Sequence, residues 1–338
     1  MNESAQLPVS TDWFADCGWG VFCHYLAPLL VDGEPLSAEQ WNAQVDSFQV
    51  ERLADQLSSI GAPYLILTIG QNSGHFIAPN ATYDRYVGRS PSRCASRDLV
   101  ADVAEVLAPH GIRLLVYLPS GAPAADELAV DRLGWRWGFE ASWPDGWNRR
   151  RTGQRLAAFQ ERWEDIVREW SLRWGTRVAG WWIDGCYFAD EMYHHPDAPN
   201  FASFADALKA GNPASIVAFN PGVLVPVVCH SVHEDYTAGE ISDAFPVCPG
   251  PWVEREGHRA RYHILSYLGE RWGGGVPRFP DEFAVGYTQH VAARGGVVSW
   301  DVPIGQDGAL AGEFLGQLTA IGTTMARWRA SRAEGSNS

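Results

Sequence analysis

The stretch Asp98–Leu118, DLVADVAEVLAPHGIRLLVYL, carries the reading of the fold. Asp98–Pro109 reads as a helix, Gly111 as its stop and Ile112–Leu118 as an apolar strand. A helix, a glycine and a strand make one βα step, and the same alternation extends in both directions. Upstream, Val50–Ile60 reads as a helix and Pro63–Ile69 (PYLILTI) as an unbroken apolar run, the mark of a strand covered on both faces. Gly20–Tyr25 (GVFCHY) is the first strand. Downstream, a polar insertion rich in Trp and Gly occupies Ser120–Arg150. Leu156, Phe159, Trp163, Ile166 and Trp170 then recur at steps of three and four, an amphipathic helix whose apolar face should lie on the sheet. Val178–Ile183 (VAGWWI), Ser215–Phe219 (SIVAF) and Gly296–Trp300 (GVVSW) read as further strands. Ala205–Lys209, Ala260–Leu268, Phe283–Ala293 and Gly312–Met325 read as helices, and Pro221–Pro280 has room for more strands.

No linker divides this pattern, and no repeat of fixed period or low-complexity tract interrupts it. The expected fold is therefore α/β, a single (β/α)8 TIM-type barrel over residues 1–332, with 333–338 a disordered tail. A doubly wound open sheet is the alternative, but neither a GxGxxG after the first strand nor a P-loop is present.

Composition narrows the function. The chain has 338 residues, 46% hydrophobic and 20% charged, enough apolar material for a large core. Asp+Glu number 40 against 26 Lys+Arg, a formal charge of −14 that opposes nucleic acid and anionic membrane partners. Lys209 is the sole lysine and sits in a helical stretch, which argues against Schiff-base or pyridoxal chemistry. The 16 tryptophans read either as bulky core filler or as platforms for the C–H faces of sugars. Six cysteines form no CxxC pair and read as buried free thiols in a reducing compartment. The opening MNESAQLPVSTDWF has neither a basic nor an apolar leader region, and there is no apolar run of membrane length, so a cytoplasmic location is expected.

Barrel active sites form at the carboxyl ends of the strands, and here those ends are rich in polar groups. They offer His24; Gln71, Asn72 and His75; Tyr117; Trp182 and Asp184; Asn220; and Trp300 and Asp301. After the fifth strand come His230, His233, Glu234, Asp235 and Glu240. Such a pocket, aromatic and carboxylate-bearing with no cofactor loop, suits glycoside chemistry. No cofactor is expected, and the partner expected is a small-molecule or oligosaccharide glycoside. Asp184 is the sharpest single residue, because a carboxylate directly after five apolar or glycine residues is costly unless it has a task. Glycoside hydrolysis needs a second carboxyl group, for which Glu234, Asp235 and Glu240 are candidates that spacing does not separate.

At this point the chain resembles the α-L-fucosidase-type retaining glycoside hydrolases. The resemblance rests on WFADCGWGVFCHYLA (Trp13–Ala27), GAPYLILTIGQNSGHF (Gly61–Phe76), SRDLVADVAEVLAPHGIRLLVYL (Ser96–Leu118), GWWIDG (Gly180–Gly185), HEDYTAGE (His233–Glu240) and RGGVVSWDVPIGQDG (Arg294–Gly308), in that order. It implies Asp184 as nucleophile, with Glu240 as acid/base and Glu234 as the fallback. It also implies that His24, Trp41 and Trp182 contact the sugar. The chain departs from the family after the second strand, where Gly70, Gln71 and Asn72 replace a lysine and two histidines. It departs again at Asn220-Pro221-Gly222, where the family often has an arginine, and in ending without a β-sandwich. A retaining α-L-fucosidase-like glycosidase for a fucoside or related deoxysugar is thus the expectation. Two other readings remain: a metal-dependent barrel hydrolase using His24, His230, His233 and Asp184, and a non-catalytic carbohydrate-binding relative. Trp135, Trp137, Trp143 and Trp147 read as an aglycone platform or a hydrophobic cap, and Arg149, Arg150 and Arg151 as a solvated face.

Overall fold

The computed structural model describes residues 9–135, 155–187 and 193–335. Trp137, Trp143, Trp147 and the three arginines at 149–151 lie outside the described residues. Seven strands run parallel in one sheet: β1 (Trp19–Cys23), β2 (Tyr64–Thr68), β3 (Arg113–Pro119), β4 (Val178–Asp184), β5 (Ile216–Phe219), β6 (His263–Tyr267) and β7 (Val297–Asp301). Their order across the sheet is β6-β7-β1-β2-β3-β4-β5. Parallel neighbours need long crossovers, and helices supply them. These are α1 (Val50–Ser59), α2 (Leu99–Leu107), α3 (Ala157–Trp174), α4 (Phe201–Lys209) and α5 (Asp281–Ala293), with α6 (Gly312–Gly335) closing the described chain.

The six strands read from the sequence are all present, with ends displaced by at most two residues. One element differs. Ala260–Leu268, which reads as a helix, is the end of a small hairpin (Trp252–Arg255 with His258–Arg261) followed by β6. All five residues of β6 are buried, so no polar–apolar alternation marks it, and a short apolar run does not betray its period.

The two edge strands, β5 and β6, do not pair with each other. Residues 235–241 bond to both edges instead. The Asp235 N–H donates to Val217 O at 2.8 Å, the Ile241 N–H to Leu265 O at 3.0 Å, and the Leu265 N–H to Gly239 O at 2.9 Å. The sheet therefore curls until one irregular segment touches both sides, an arrangement consistent with a TIM-like barrel. Lys209 fastens that segment through an ion pair with Asp235 at 2.7 Å, which is the structural role of the sole lysine. Gly239 (φ +62°) makes the close approach possible, because a Cβ there would lie 1.8 Å from His263 O.

Side chains alternate across the strands. Trp19, Val21, Leu65, Leu67, Leu114, Val116, Trp181, Ile183, Val217, Val298 and Trp300 belong to the core shared with the helices. Phe22, Tyr64, Ile66, Leu115, Tyr117, Trp182, Ile216, Ala218, Leu265 and Val297 form a second, inner core. Phe14, from the short helix Asp12–Cys17, closes the amino-terminal end of this inner core against Tyr64, Tyr236 and His263. Most of the tryptophan surplus packs the outer layer. On α3, Trp163, Trp170 and Trp174 are buried, and their indole N–H groups bond Pro119 O, Pro79 O and the Asp98 carboxylate. A buried indole needs such an acceptor.

Candidate active site

The inner face reaches the carboxyl ends of the strands with the same alternation, and this selects the site. Beyond Phe22 comes His24, beyond Leu115 comes Tyr117, beyond Trp182 comes Asp184, and beyond Ala218 comes Asn220. On the irregular segment Tyr236 and Ala238 are followed by Glu240, and on β7 Val297 and Ser299 are followed by Asp301. A cavity of about 410 Å³ opens above them, a size ordinary for small-ligand sites. Phe22, His24, Leu26, Gln71, Tyr117, Trp182, Asp184, Glu240, Leu265, Trp272 and Gly273 line it.

Asp184 ends β4 and accepts four hydrogen bonds. Tyr117 Oη donates to Oδ2 at 2.5 Å, while the Gly185 N–H (2.7 Å), Asn220 Nδ2 (2.9 Å) and Tyr187 Oη (3.3 Å) address Oδ1. Gln71 Nε2 donates to Tyr117 Oη at 2.6 Å, so the phenol is held from behind as it donates its hydrogen bond to the acid. The Tyr117 hydroxyl is pushed well above its ordinary value, first by burial and then by the Asp184 charge, and so stays a donor. Trp182 stacks on Tyr117 with ring centres 5.4 Å apart, and its own N–H is spent on Ala238 O.

Glu240 faces the same cavity. Asn220, fully buried, donates from its single Nδ2 to Asp184 Oδ1 at 2.9 Å and to Glu240 Oε2 at 2.6 Å, while its Oδ1 accepts the Gly222 N–H. Two oxygens bonded to one nitrogen at those distances are no more than about 5.5 Å apart. Burial, reinforced by the nearby Asp184 charge, pushes the Glu240 carboxyl up to about 7, with the Asn220 bond and His24 opposing.

The other sequence candidates lie elsewhere. Glu234 is fully buried outside the cavity lining, with its oxygens on the His230 N–H (2.7 Å) and Phe219 N–H (3.3 Å). Burial pushes its carboxyl up to about 8. Trp41 is buried with its N–H on Phe76 O at 2.9 Å, between Tyr25 and His75, so it packs a loop. His75 is buried beside it, held down to about 4 by burial and by Arg93. Asn72 and His233 are exposed and away from the lining. Trp300 points outward, bonding Thr288 Oγ1 at 2.9 Å among Phe245 and Tyr287. His230 Nε2 lies 3.1 Å from Cys186 O, and among the described residues no three His, Cys, Asp or Glu converge as a metal cage. Cys23 and Cys186 are buried thiols pushed well above their ordinary value by desolvation, a setting for packing rather than reactivity.

Trp272, Gly273 and the apolar liners Leu26 and Leu265 were not among the sequence candidates. Reading Ala260–Leu268 as a helix hid the strand end from which Trp272 projects. The available signal was GERWGGG at 269–275, a glycine-rich turn directly after an apolar run.

This is the fold of the fucosidase-type glycoside hydrolases. No family model matches the chain, and no curated protein matches its sequence. Among solved structures, the endo-fucoidan hydrolase MfFcnA4 of glycoside hydrolase family 107 superposes with a TM-score of 0.72 at 17% identity, covering 96% of this chain. This chain spans only 55% of that protein, but 94% of a second endo-fucoidan hydrolase, P5AFcnA, which superposes over 94% of this chain at TM-score 0.68 and 16% identity. The α-L-fucosidase of Bacteroides thetaiotaomicron, of glycoside hydrolase family 29, gives 0.60 at 17% identity over 97% of this chain and 75% of its own. A structure of a family 29 α-L-fucosidase from the same organism holds a covalent intermediate trapped with 2-fluoro-fucosyl fluoride. At these identities the likeness is one of fold, and the chemistry must be argued from the site.

Proposed function

We propose that the chain is a retaining glycoside hydrolase for an α-L-fucoside or a related deoxysugar glycoside, with residues 235–241 serving as the eighth stave of a single (β/α)8 barrel. Asp184 is the nucleophile and Glu240 the acid/base. One observation carries this reading: a single amide, Asn220, bonds both carboxyl groups, so their facing oxygens lie within about 5.5 Å. Retaining enzymes hold their carboxyl pair about 5–5.5 Å apart, whereas inverting enzymes leave roughly 6.5–9.5 Å for a water.

In the first step Asp184 attacks the anomeric carbon while Glu240 protonates the leaving oxygen. In the second, Glu240 takes a proton from the water that releases the sugar. A carboxyl group raised to about 7 is protonated often enough near neutrality to act first as acid and then as base. Donors at Tyr117 and Gly185 keep Asp184 aimed. His24 and Gln71 supply hydroxyl partners, while Trp272, Leu26 and Leu265 offer an apolar wall for C–H faces and a deoxy methyl. The neighbours named for fucoidan and fucose support the same sugar class.

The test is turnover of nitrophenyl α-L-fucoside within a panel of nitrophenyl glycosides. Asp184→Asn should lose at least about a thousandfold in kcat, as expected when a covalent nucleophile is removed. A 2-fluoro-fucosyl fluoride label should map to Asp184, and azide should rescue Glu240→Ala on a substrate with a good leaving group. Near-normal turnover by Asp184→Asn refutes the mechanism. Binding of a glycan that is never turned over would favour the carbohydrate-binding relative instead.

A further inference from the structure

Asp301 ends β7 on the inner face, with its side chain fully buried, yet it does not line the cavity. Its two oxygens are spent on two elements that do. Oδ1 lies 2.9 Å from His24 Nδ1, and Oδ2 accepts the Gly273 N–H at 2.5 Å. His24 sits among aromatic rings, with centres 4.6 Å from Phe22, 5.9 Å from Tyr117 and 5.8 Å from Trp272. Gly273 belongs to a tight turn in which Arg271 and Gly274 exchange backbone hydrogen bonds. It has φ +59°, and a Cβ on it would stand 3.1 Å from His24 Cβ, so the turn comes close to His24 only because residue 273 is a glycine.

A carboxylate oxygen can only accept, so the proton of this contact belongs to His24 Nδ1. The ring then presents Nε2 alone to the cavity, in an orientation set from behind. This is the way a buried acid orients a catalytic or metal-bound imidazole. The same carboxylate anchors the turn that carries Trp272.

We propose that Asp301 is a positioning residue that sets the tautomer of His24 and seats the Trp272 turn, making an imidazole and an indole into one rigid sugar-reading wall. That the ligand is a sugar rests on the glycosidase reading; the positioning itself does not. The wall reads a hydroxyl and an adjoining C–H face together, so its loss should appear in substrate affinity more than in turnover.

Nitrogen-15 NMR of the wild-type chain, with His24 assigned through His24→Gln, should find a proton on Nδ1. A ring protonated only on Nε2 overturns the proposal with no variant or substrate involved. Asp301→Asn can turn an amide donor toward the ring, so it should move the protonation pattern. It should also raise KM for nitrophenyl α-L-fucoside, and Kd for a fucose-configured iminosugar, at least tenfold while kcat changes less than threefold. On a background carrying both His24→Ala and Trp272→Ala the same change should cost less than threefold. A folded Asp301→Asn chain with the wild-type tautomer and unaltered Kd refutes the role. If no fucoside is turned over, yet the Nδ1 proton is present and shifts in Asp301→Asn, the fucoside reading fails and the positioning role stands.

Discussion

Asn220→Leu keeps the branched shape and heavy-atom count of a buried side chain and deletes the one nitrogen that, among the described residues, bonds both proposed catalytic acids. Asp184 retains Tyr117, Tyr187 and Gly185 as donors, but Glu240 loses the side-chain bond at 2.6 Å that opposes its burial. A hydrogen bond to a charged group contributes about 1.5–3 kcal/mol. Removing it from Glu240 destabilises the ionised form, so the carboxyl should titrate at least about one pH unit above its starting value near 7. The sign is decisive. The first step needs Glu240 protonated, so the alkaline limb of kcat/KM should move upward in pH. At the same time Asp184 loses one of its aiming bonds, and kcat at the optimum should fall roughly 10- to 100-fold, the equivalent of about 1.4–2.7 kcal/mol. The assay is a pH series of kcat/KM on nitrophenyl α-L-fucoside, with thermal unfolding to confirm that the variant is folded. An alkaline limb that does not move, together with activity within threefold of wild type, would refute the idea that Asn220 couples the two acids. A downward shift would mean that the acid on that limb is not Glu240.

Further tests address the neighbours of the site. Glu234→Gln should keep kcat/KM within about threefold, because Glu234 does not face the cavity; a hundredfold loss would return the acid/base role to it. Its carboxyl is raised by burial to about 8 in the folded chain and ionises near 4.3 when unfolded, so its stabilising contribution is complete at low pH and is lost as the pH rises through 8. Melting temperatures should accordingly fall less steeply between about pH 5 and 9 in Glu234→Gln than in wild type. Gly239→Ala would set a Cβ 1.8 Å from His263 O at φ +62°, so it should cost more than about 2 kcal/mol in denaturant titration and abolish activity by displacing Glu240. Trp41→Phe leaves the buried Phe76 carbonyl with the Ala95 N–H as its remaining partner and should cost about 0.5–1.5 kcal/mol of stability through the lost hydrogen bond, with KM unchanged. A large rise in KM would give Trp41 the sugar contact its loop position suggests.

Much of the site was legible because strand ends are local features. Asp184 stood out as an acid closing an apolar run, and His24, Tyr117 and Asn220 follow from counting by twos along their strands. The same count separates Asp301 from Trp300: the acid falls on the inner parity with Val297 and Ser299, and the indole falls on the helix side. Trp41 and His75 are polar and aromatic residues near a strand end, which is how functional groups look in sequence, yet both pack the base of a loop. Tryptophan number was equally ambiguous. An indole satisfied by a backbone carbonyl and one facing a sugar carry the same letter, and among the described residues only Trp182 and Trp272 line the cavity.

Periodicity, glycine stops and buried runs are written in neighbouring residues, so the alternation of strands and helices, and the inventory of polar groups at the strand ends, belong to the sequence. Which acid meets Asp184 does not. Glu234 and Glu240 lie in one short segment of similar character, and they part because Gly239 lets the chain press against β6 while Lys209 and Val217 hold Asp235 against β5. That geometry turns Glu240 into the cavity and buries Glu234 away from it, on the Phe219 and His230 N–H groups. It depends on contacts between strands far apart along the chain, which exist only once the sheet has curled.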